Sequence, residues 1–175
     1  VLQGSGPHFS VGGNPHALTR EDIFKRSLAA FAASLRELYS GFVQLRCLDA
    51  PVTCAVHGHV VGGGLAACLH ADHVSAEQSA TFEHGNLVRG VCPLGLLSQT
   101  FAAAVESYAA SIYLQNAVIK SQTALLVGLV QQLGSGVCQT QTNAQMVASR
   151  AGSCREIALA LTRTRSTADA DILAK

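Results

Sequence analysis

The sequence predicts an α/β domain, and three observations support this fold class. Residues 28–45 carry apolar side chains at helical spacing and end before a proline break, which predicts one long amphipathic helix. Residues 51–57 are mostly apolar and β-prone, and the chain then passes through glycines 62–64 into residues 65–70, which have the spacing of a buried helix. Residues 73–80 have the character of a short strand and a turn.

A loop and a helix-capping signal precede the long helix. Residues 10–20 are rich in Gly, Asn and Pro, and Thr19 stands before a charged segment that includes Glu21 and Asp22, which is typical of an N-cap and a first helical turn. The apolar face that we expect to pack on the core consists of Leu28, Phe31, Leu35, Leu38 and Phe42.

The C-terminal half predicts helices separated by glycine. Residues 96–113 and 119–130 are apolar at helical spacing, and Gly128 is expected to end the second segment. Residues 134–136 are expected to interrupt regular structure, and residues 144–161 predict a last amphipathic helix.

Length and composition indicate one domain. The chain has 175 residues, of which 49% are hydrophobic and 13% charged, which is ample for a buried core. The formal net charge is +1 without a basic cluster, so neither a nucleic-acid nor a membrane partner is expected. No apolar run reaches the roughly 18–20 residues of a membrane span, and the first residues do not resemble a signal peptide, so we expect a cytoplasmic protein.

The six cysteines predict buried thiols. They form no CxxC pair and lie mostly in apolar stretches, which favours a reducing compartment over a disulfide framework. No His/Cys group has the spacing of zinc ligands, so no metal is expected. The cysteines are Cys47, Cys54, Cys68, Cys92, Cys138 and Cys154.

Glycines 62–64 have a chemical use at the start of a helix. They leave backbone N–H groups uncovered at the positive end of the helix dipole, which suits a phosphate, a carboxylate or a developing oxyanion. A tight turn where helix and sheet approach closely is the structural alternative. Nucleotide motifs do not match, because no Lys-Ser/Thr pair follows the glycines and GHVVGG differs from GxGxxG.

A second glycine pair near the N-terminus would place another uncovered N–H opposite the first. Phe9-Ser-Val-Gly-Gly-Asn is similar to F-S-x-G-x-D, and Ala55-Val-His-Gly-His-Val-Val-Gly-Gly-Gly is similar to A-V-x-G-x-x-x-G-G-G. Both are signatures of the crotonase (enoyl-CoA hydratase/isomerase) superfamily, which the sequence therefore resembles. Further matches follow in family order at Ala71-Asp72, Ala80-Thr-Phe82, Gly90-Val-Cys-Pro93 and Ala124-Leu-Leu-Val-Gly-Leu-Val130.

The resemblance implies the α/β crotonase fold, of the ClpP-like type, in which ββα units form superhelical turns and helices follow. Family members carry further residues on both sides of the matched region, so the chain is expected to be truncated at both ends. Residues 1–175 would then form a single crotonase-like domain, with a thioester-binding core over 1–130 and a helical region and tail over 131–175. The implied partner is an acyl-CoA or an acyl carrier protein, and the implied assembly is a homotrimer or hexamer. CoA or phosphopantetheine would be part of the substrate, and no tightly bound cofactor is implied.

The resemblance also implies an oxyanion hole formed by the backbone N–H groups of Gly13 and Gly63. Such a hole binds a thioester carbonyl and stabilises the enolate formed from it. The residues expected to line the substrate site beside it are Phe9, Val11, Gly12, Gly62, Gly64, Ala66 and Leu94.

Three positions depart from the family pattern. Hydratases carry glutamates at the positions of Ala66 and Asn86, and certain isomerases carry an aspartate at that of Leu94, whereas the residues here cannot act as general bases. Loss of CO2 leaves an enolate without any base, so we favour decarboxylation of a carboxylated acyl thioester, as in polyketide β-branching. A hydratase or isomerase with degenerate acid–base residues and a non-catalytic module for thioester binding or oligomer assembly are the alternatives.

Histidines near the glycines are the candidate proton donors to the enolate. His16 follows Gly13 by three residues and His84 follows Phe82 by two, and imidazole has a suitable acidity for this role. Asn86 is a candidate contact for a carboxylate or a water. Each of these histidines has the alternative of a surface position without a role, and His57 and His59 are predicted to be structural.

Overall fold

The computed structural model describes residues 1–13, 28–90, 93 and 96–153. These residues form seven strands and six α-helices, which confirms the α/β class. The strands are β1 (Leu2–Gln3), β2 (Thr53–Val56), β3 (His59–Val61), β4 (His73–Glu77), β5 (Thr81–Glu83), β6 (Ile119–Lys120) and β7 (Gln132–Gly134). The helices are α1 (Leu28–Val43), α2 (Gly63–His70), α3 (Leu97–Val105), α4 (Ala109–Leu114), α5 (Ser121–Leu126) and α6 (Val137–Ser153), with 3-10 turns at Gln44–Cys47 and Glu106–Tyr108.

The strands form two sheets. The first has the order β1-β2-β4-β7 and is parallel throughout, with Cys54 opposite Val74 in its centre. The second has the order β3-β5-β6, in which β3 and β5 are parallel and β5 and β6 are antiparallel. Helix α6 packs on β2 and β4, where the Thr53 hydroxyl donates to the Ala144 carbonyl at 3.2 Å.

The segment before the glycine triplet contains two strands, whereas the sequence predicted one. Gly58, with φ of +59°, separates β2 from β3 and sends them into different sheets. A Cβ at this glycine would lie 2.6 Å from the His8 Nδ1 and would also collide with the Pro7 carbonyl. The glycine therefore permits both the turn and the close approach of the N-terminal segment.

The structure confirms the predicted helix as α1, but at one position of its buried face Tyr39 replaces the predicted Leu38. Tyr39 is 7% exposed and packs with Ala66 and Leu97, whereas Leu38 is 57% exposed. Neighbouring residues of a helix lie about 100° apart, so docking on α2 and α3 through Tyr39 and Phe42 turns Leu38 outward.

The helix predicted over residues 96–113 is broken in the structure. Helix α3 ends at Val105, and Glu106 has φ of +46°, after which a 3-10 turn leads into α4. No Gly or Pro marks this break in the sequence. The change of direction accompanies the return of Tyr113 to the end of β5, where it meets His84.

The segment predicted as a helix over residues 119–130 begins as β6 and only then forms α5. Gly128, with φ of +86°, ends this helix as expected.

Gly134 has a different role from the predicted interruption of regular structure. Gly134 belongs to β7, and a Cβ there would lie 2.7 Å from the Thr140 nitrogen of α6. The glycine thus allows strand and helix to touch, and α6 begins at Val137, seven residues earlier than residue 144.

Of the described cysteines, two are buried and two are exposed. Cys54 and Cys68 lie in the core, where the hydrogen bond that the Cys68 thiol makes to Cys54, together with burial, raises the pKa of Cys68. Cys47 and Cys138 are exposed, contrary to expectation, because they lie on a 3-10 turn and in the first turn of α6. Cys92 and Cys154 lie outside the described residues, and so does the predicted N-cap at Thr19.

No helix among the described residues is long and apolar enough to cross a membrane.

Candidate active site

The glycine triplet forms the turn between β3 and α2. Gly62 has φ of +55° and donates its N–H to the Glu83 carbonyl at 3.2 Å, while its own carbonyl accepts from Ala66 at 3.0 Å. Helix α2 begins at Gly63, and within the described part of the chain no side chain caps it. Since the first N–H groups of a helix have no acceptor inside it, the Gly63 N–H is available to a ligand.

Close packing explains the third glycine of the triplet. A Cβ at Gly64 would lie 2.6 Å from the Ser10 Cβ and 2.9 Å from its Oγ, which is far inside van der Waals contact. The structural alternative given above, a tight approach of elements, therefore applies to Gly64. At Gly63 the nearest described atoms would be 3.4 Å away, on the Phe42 ring.

The first glycine loop lies beside this turn because residues 9–10 pair with β3. Phe9 donates to the His57 carbonyl at 2.8 Å, and Val61 donates to the Ser10 carbonyl at 2.9 Å. Gly12, with φ of +83°, follows, and a Cβ there would lie 3.2 Å from the Val61 carbonyl. Two glycine loops that are distant in sequence are thus adjacent in space.

The described residues nearest Gly13 leave it open, since no atom lies within 4 Å of a Cβ built there. Val11 beside it is 57% exposed, whereas Phe9 packs against the core. The Gly12 N–H is directed towards the Ser10 Oγ, at 3.4 Å, so it is engaged within the loop.

Two of the three departures from the family pattern can be located. Ala66 is fully buried in the apolar cluster with Tyr39 and Leu97, so no polar group reaches that position from α2. Asn86 is 3% exposed, and its Oδ1 lies 3.8 Å from where a Gly62 Cβ would be. Leu94 and the candidate proton donor His16 lie outside the described residues.

His84 is enclosed by aromatic rings. It is 2% exposed and stands edge-to-face to Phe101, at 5.3 Å and 81°, and to Tyr113, at 4.7 Å and 80°. Burial lowers the pKa of His84, because desolvation disfavours the imidazolium. The imidazolium that would donate a proton is therefore less populated than that of a free imidazole.

The sequence analysis missed the side chains that surround these residues. Asn116 donates to the Glu83 Oε1 at 3.0 Å, and Arg89 contacts the same oxygen at 3.4 Å and the Gly85 carbonyl at 2.6 Å. No local pattern in the sequence predicts a role in the site for these residues. Phe101 and Tyr113 lie in the segment predicted as one continuous apolar helix, and Asn116 lies just after it.

The other histidines near the site connect strands. His57 bonds through its Nε2 to the Gly6 carbonyl at 2.8 Å, and His59 bonds through its Nδ1 to the Thr81 hydroxyl at 2.7 Å. The His8 Nδ1 accepts the His59 N–H at 3.2 Å. In the described residues no group of three or more His, Cys, Asp or Glu side chains could hold a metal ion.

Known proteins with the same fold share this arrangement of elements. An enoyl-CoA hydratase from Polaromonas superposes with a TM-score of 0.84 at 23% identity over 95% of this chain and 65% of its own. DspI of Pseudomonas aeruginosa superposes with a TM-score of 0.83 at 24% identity over 95% of this chain and 67% of its own. At identities below 25%, these superpositions show that the fold is shared and no more.

Sequence comparison defines the family. A Mycobacterium tuberculosis protein named "Probable enoyl-CoA hydratase EchA12" is 33% identical over 143 residues, which cover 75% of this chain and 48% of that protein. The chain thus spans about half the length of this relative. The model of the enoyl-CoA hydratase/isomerase family matches residues 1–170. The chain therefore belongs to the enoyl-CoA hydratase/isomerase family of the crotonase superfamily.

Proposed function

We propose that the chain binds an acyl thioester and stabilises its enolate with the backbone N–H groups of Gly13 and Gly63. The pairing of residues 9–10 with β3 supports this most directly, because it brings the first glycine loop beside the uncapped start of α2. Two N–H groups directed at one oxygen stabilise negative charge where it develops. The acyl group is carried by CoA, as in the family, or by the phosphopantetheine of a carrier protein.

The reaction we favour is decarboxylation. The bond between the carboxylate and the carbon that bears it breaks; that carbon is the α-carbon of a malonyl thioester and the γ-carbon of a glutaconyl thioester. CO2 leaves, and the electron pair forms an enolate on the thioester oxygen, which is a dienolate in the glutaconyl case. The carbon that lost CO2 then takes one proton from solvent to give the uncarboxylated thioester. Ala66 lies in an apolar cluster and Asn86 is an amide, so neither hydratase glutamate position offers the carboxylate needed to handle water.

Hydration is the second candidate, supported by His84. A neutral imidazole can accept a proton, and the carbonyl of His84 lies 3.9 Å from where a Gly62 Cβ would be, beside the glycine turn. The printed name of the Mycobacterium relative also describes an enoyl-CoA hydratase. Here His84 would replace the missing glutamates as the base that activates water.

Turnover of matched thioesters in deuterated water separates the two reactions. We expect CO2 release from malonyl-CoA or glutaconyl-CoA, with one deuteron in the product, and no water added to crotonyl-CoA. Gly63→Pro removes one donor at the first helical position, where proline is tolerated, and should lower kcat by about 10²- to 10³-fold. Gly63→Ala keeps the N–H and is the matched control. Hydration of crotonyl-CoA without CO2 release from either carboxylated substrate would refute decarboxylation.

A further inference from the structure

Two side-chain nitrogens near the glycine turn are buried without a hydrogen-bond partner. They are the His84 Nδ1 and the Asn86 Nδ2, and the residues that carry them are 2% and 3% exposed. Among the described residues only the Asn116 Oδ1 shares this condition. Buried polar atoms are nearly always paired in folded proteins, so such a pair of nitrogens points to a ligand that completes the bonds.

Both residues lie beside the glycine turn, where the paired strands β3 and β5 of the second sheet end. The parallel register places Val61 opposite Glu83, so Gly62 and His84 follow together at the ends of their strands. A Cβ at Gly62 would lie 3.8 Å from the Asn86 Oδ1 and 3.9 Å from the His84 carbonyl. The side chain of Asn86 and the backbone of His84 therefore border the start of α2, where the substrate would be held.

The two side chains are uncharged. The rings of Phe101 and Tyr113 enclose the imidazole of His84, and the resulting burial disfavours its protonated form. Glu83 and Arg89, which flank this segment, contact each other at 3.4 Å. His84 and Asn86 thus offer hydrogen-bond donors that carry no charge of their own.

We propose that His84 and Asn86 form an uncharged pocket for the carboxylate that leaves as CO2, an inference that rests on the proposed decarboxylation. Each residue donates one N–H to the carboxylate, His84 through the Nδ1–H tautomer of its neutral ring. The donors orient the carboxylate without neutralising it, and the charge moves to the oxyanion hole as CO2 departs. Interactions that strengthen towards the transition state accelerate the reaction, whereas a salt bridge to the carboxylate would stabilise the ground state.

The test uses two dethia analogues of acyl-CoA that cannot react. Sulfoacetyl-dethia-CoA carries a sulfonate where malonyl-CoA carries its carboxylate, and propionyl-dethia-CoA carries a methyl group there. Calorimetry with the 175-residue chain should show tighter binding of the sulfonate. His84→Ala and Asn86→Ala should each weaken sulfonate binding by about 10- to 100-fold and change propionyl binding little. His59→Ala, on an exposed histidine of β3, is the matched control and should leave both affinities unchanged.

A second measurement is made on the wild-type protein, and a variant serves only to assign one signal. The side-chain amide signal of Asn86, identified by its loss in Asn86→Asp, should shift in the wild-type NMR spectrum with the sulfonate analogue and not with the propionyl analogue. Equal binding of both analogues, or a sulfonate preference that survives both alanine substitutions, would refute the pocket while leaving thioester binding intact. Failure to bind either analogue would refute the proposed function and the pocket with it.

Discussion

Gly64 provides the clearest test of how the site is assembled. A Cβ added there would lie 2.6 Å from the Ser10 Cβ, about 1 Å short of an ordinary carbon contact of 3.5–4.0 Å. Gly64→Ala must therefore displace either the start of α2 or the paired segment at Ser10. Overpacking of this kind costs about 1–3 kcal/mol, and the helix preference of alanine returns about 0.5–1 kcal/mol. We expect a net loss of about 1–2 kcal/mol, or about 2–8 °C in Tm.

The measurement is chemical and thermal denaturation followed by circular dichroism. Gly63→Ala is the matched control, because its Cβ would meet only the Phe42 ring, at 3.4 Å. Combining Gly64→Ala with Ser10→Gly removes the clashing side-chain atoms and leaves only the carbonyl oxygen of residue 10, at 3.1 Å. It should recover more than half of the loss, judged against Ser10→Gly alone. If Gly64→Ala is as stable as Gly63→Ala, the loop and the helix do not pack as described.

Three further predictions concern stability. Because burial lowers the pKa of His84, the unfolded chain binds its proton more readily, so stability should fall from about pH 7 to pH 5, and His84→Phe should fall less in the same denaturation series. Thr53→Val removes the bond to the Ala144 carbonyl and should cost about 0.5–1.5 kcal/mol in urea titrations; an unchanged free energy of unfolding would contradict a stabilising role for this bond. Gly128→Ala, at φ of +86°, should lose about 1–2 kcal/mol, whereas Gly136→Ala, with open space around it, should not; equal melting temperatures would refute the strain.

Local patterns predicted the parts of the site that depend on the backbone. The glycine triplet and the helix that follows it lie together in sequence, and a glycine-rich strand-to-helix turn has a recognisable composition. The strand was predicted over residues 51–57, and its division into β2 and β3 was not predicted. Helix α1 was likewise predictable from apolar spacing, although its buried face was not. That face depends on which neighbour the helix meets, and α2 and α3 select Tyr39 over Leu38.

Glycine illustrates the limit of sequence reasoning. Gly58, Gly64 and Gly134 all leave room for a neighbouring segment, and none of those neighbours lies next to them in sequence. The sequence shows that a side chain is missing but not which element needs the space. For this reason Gly134 looked like a helix breaker, although it lies in a strand against α6.

The sequence by itself determined the α/β class, the two glycine loops and the lack of carboxylates at Ala66 and Asn86, because each is a matter of local pattern or residue identity. Only the tertiary structure decided that the loops are adjacent and that His84 is a neutral ring between Phe101 and Tyr113. Charge state follows from burial, and burial arises only when segments distant in the chain pack together.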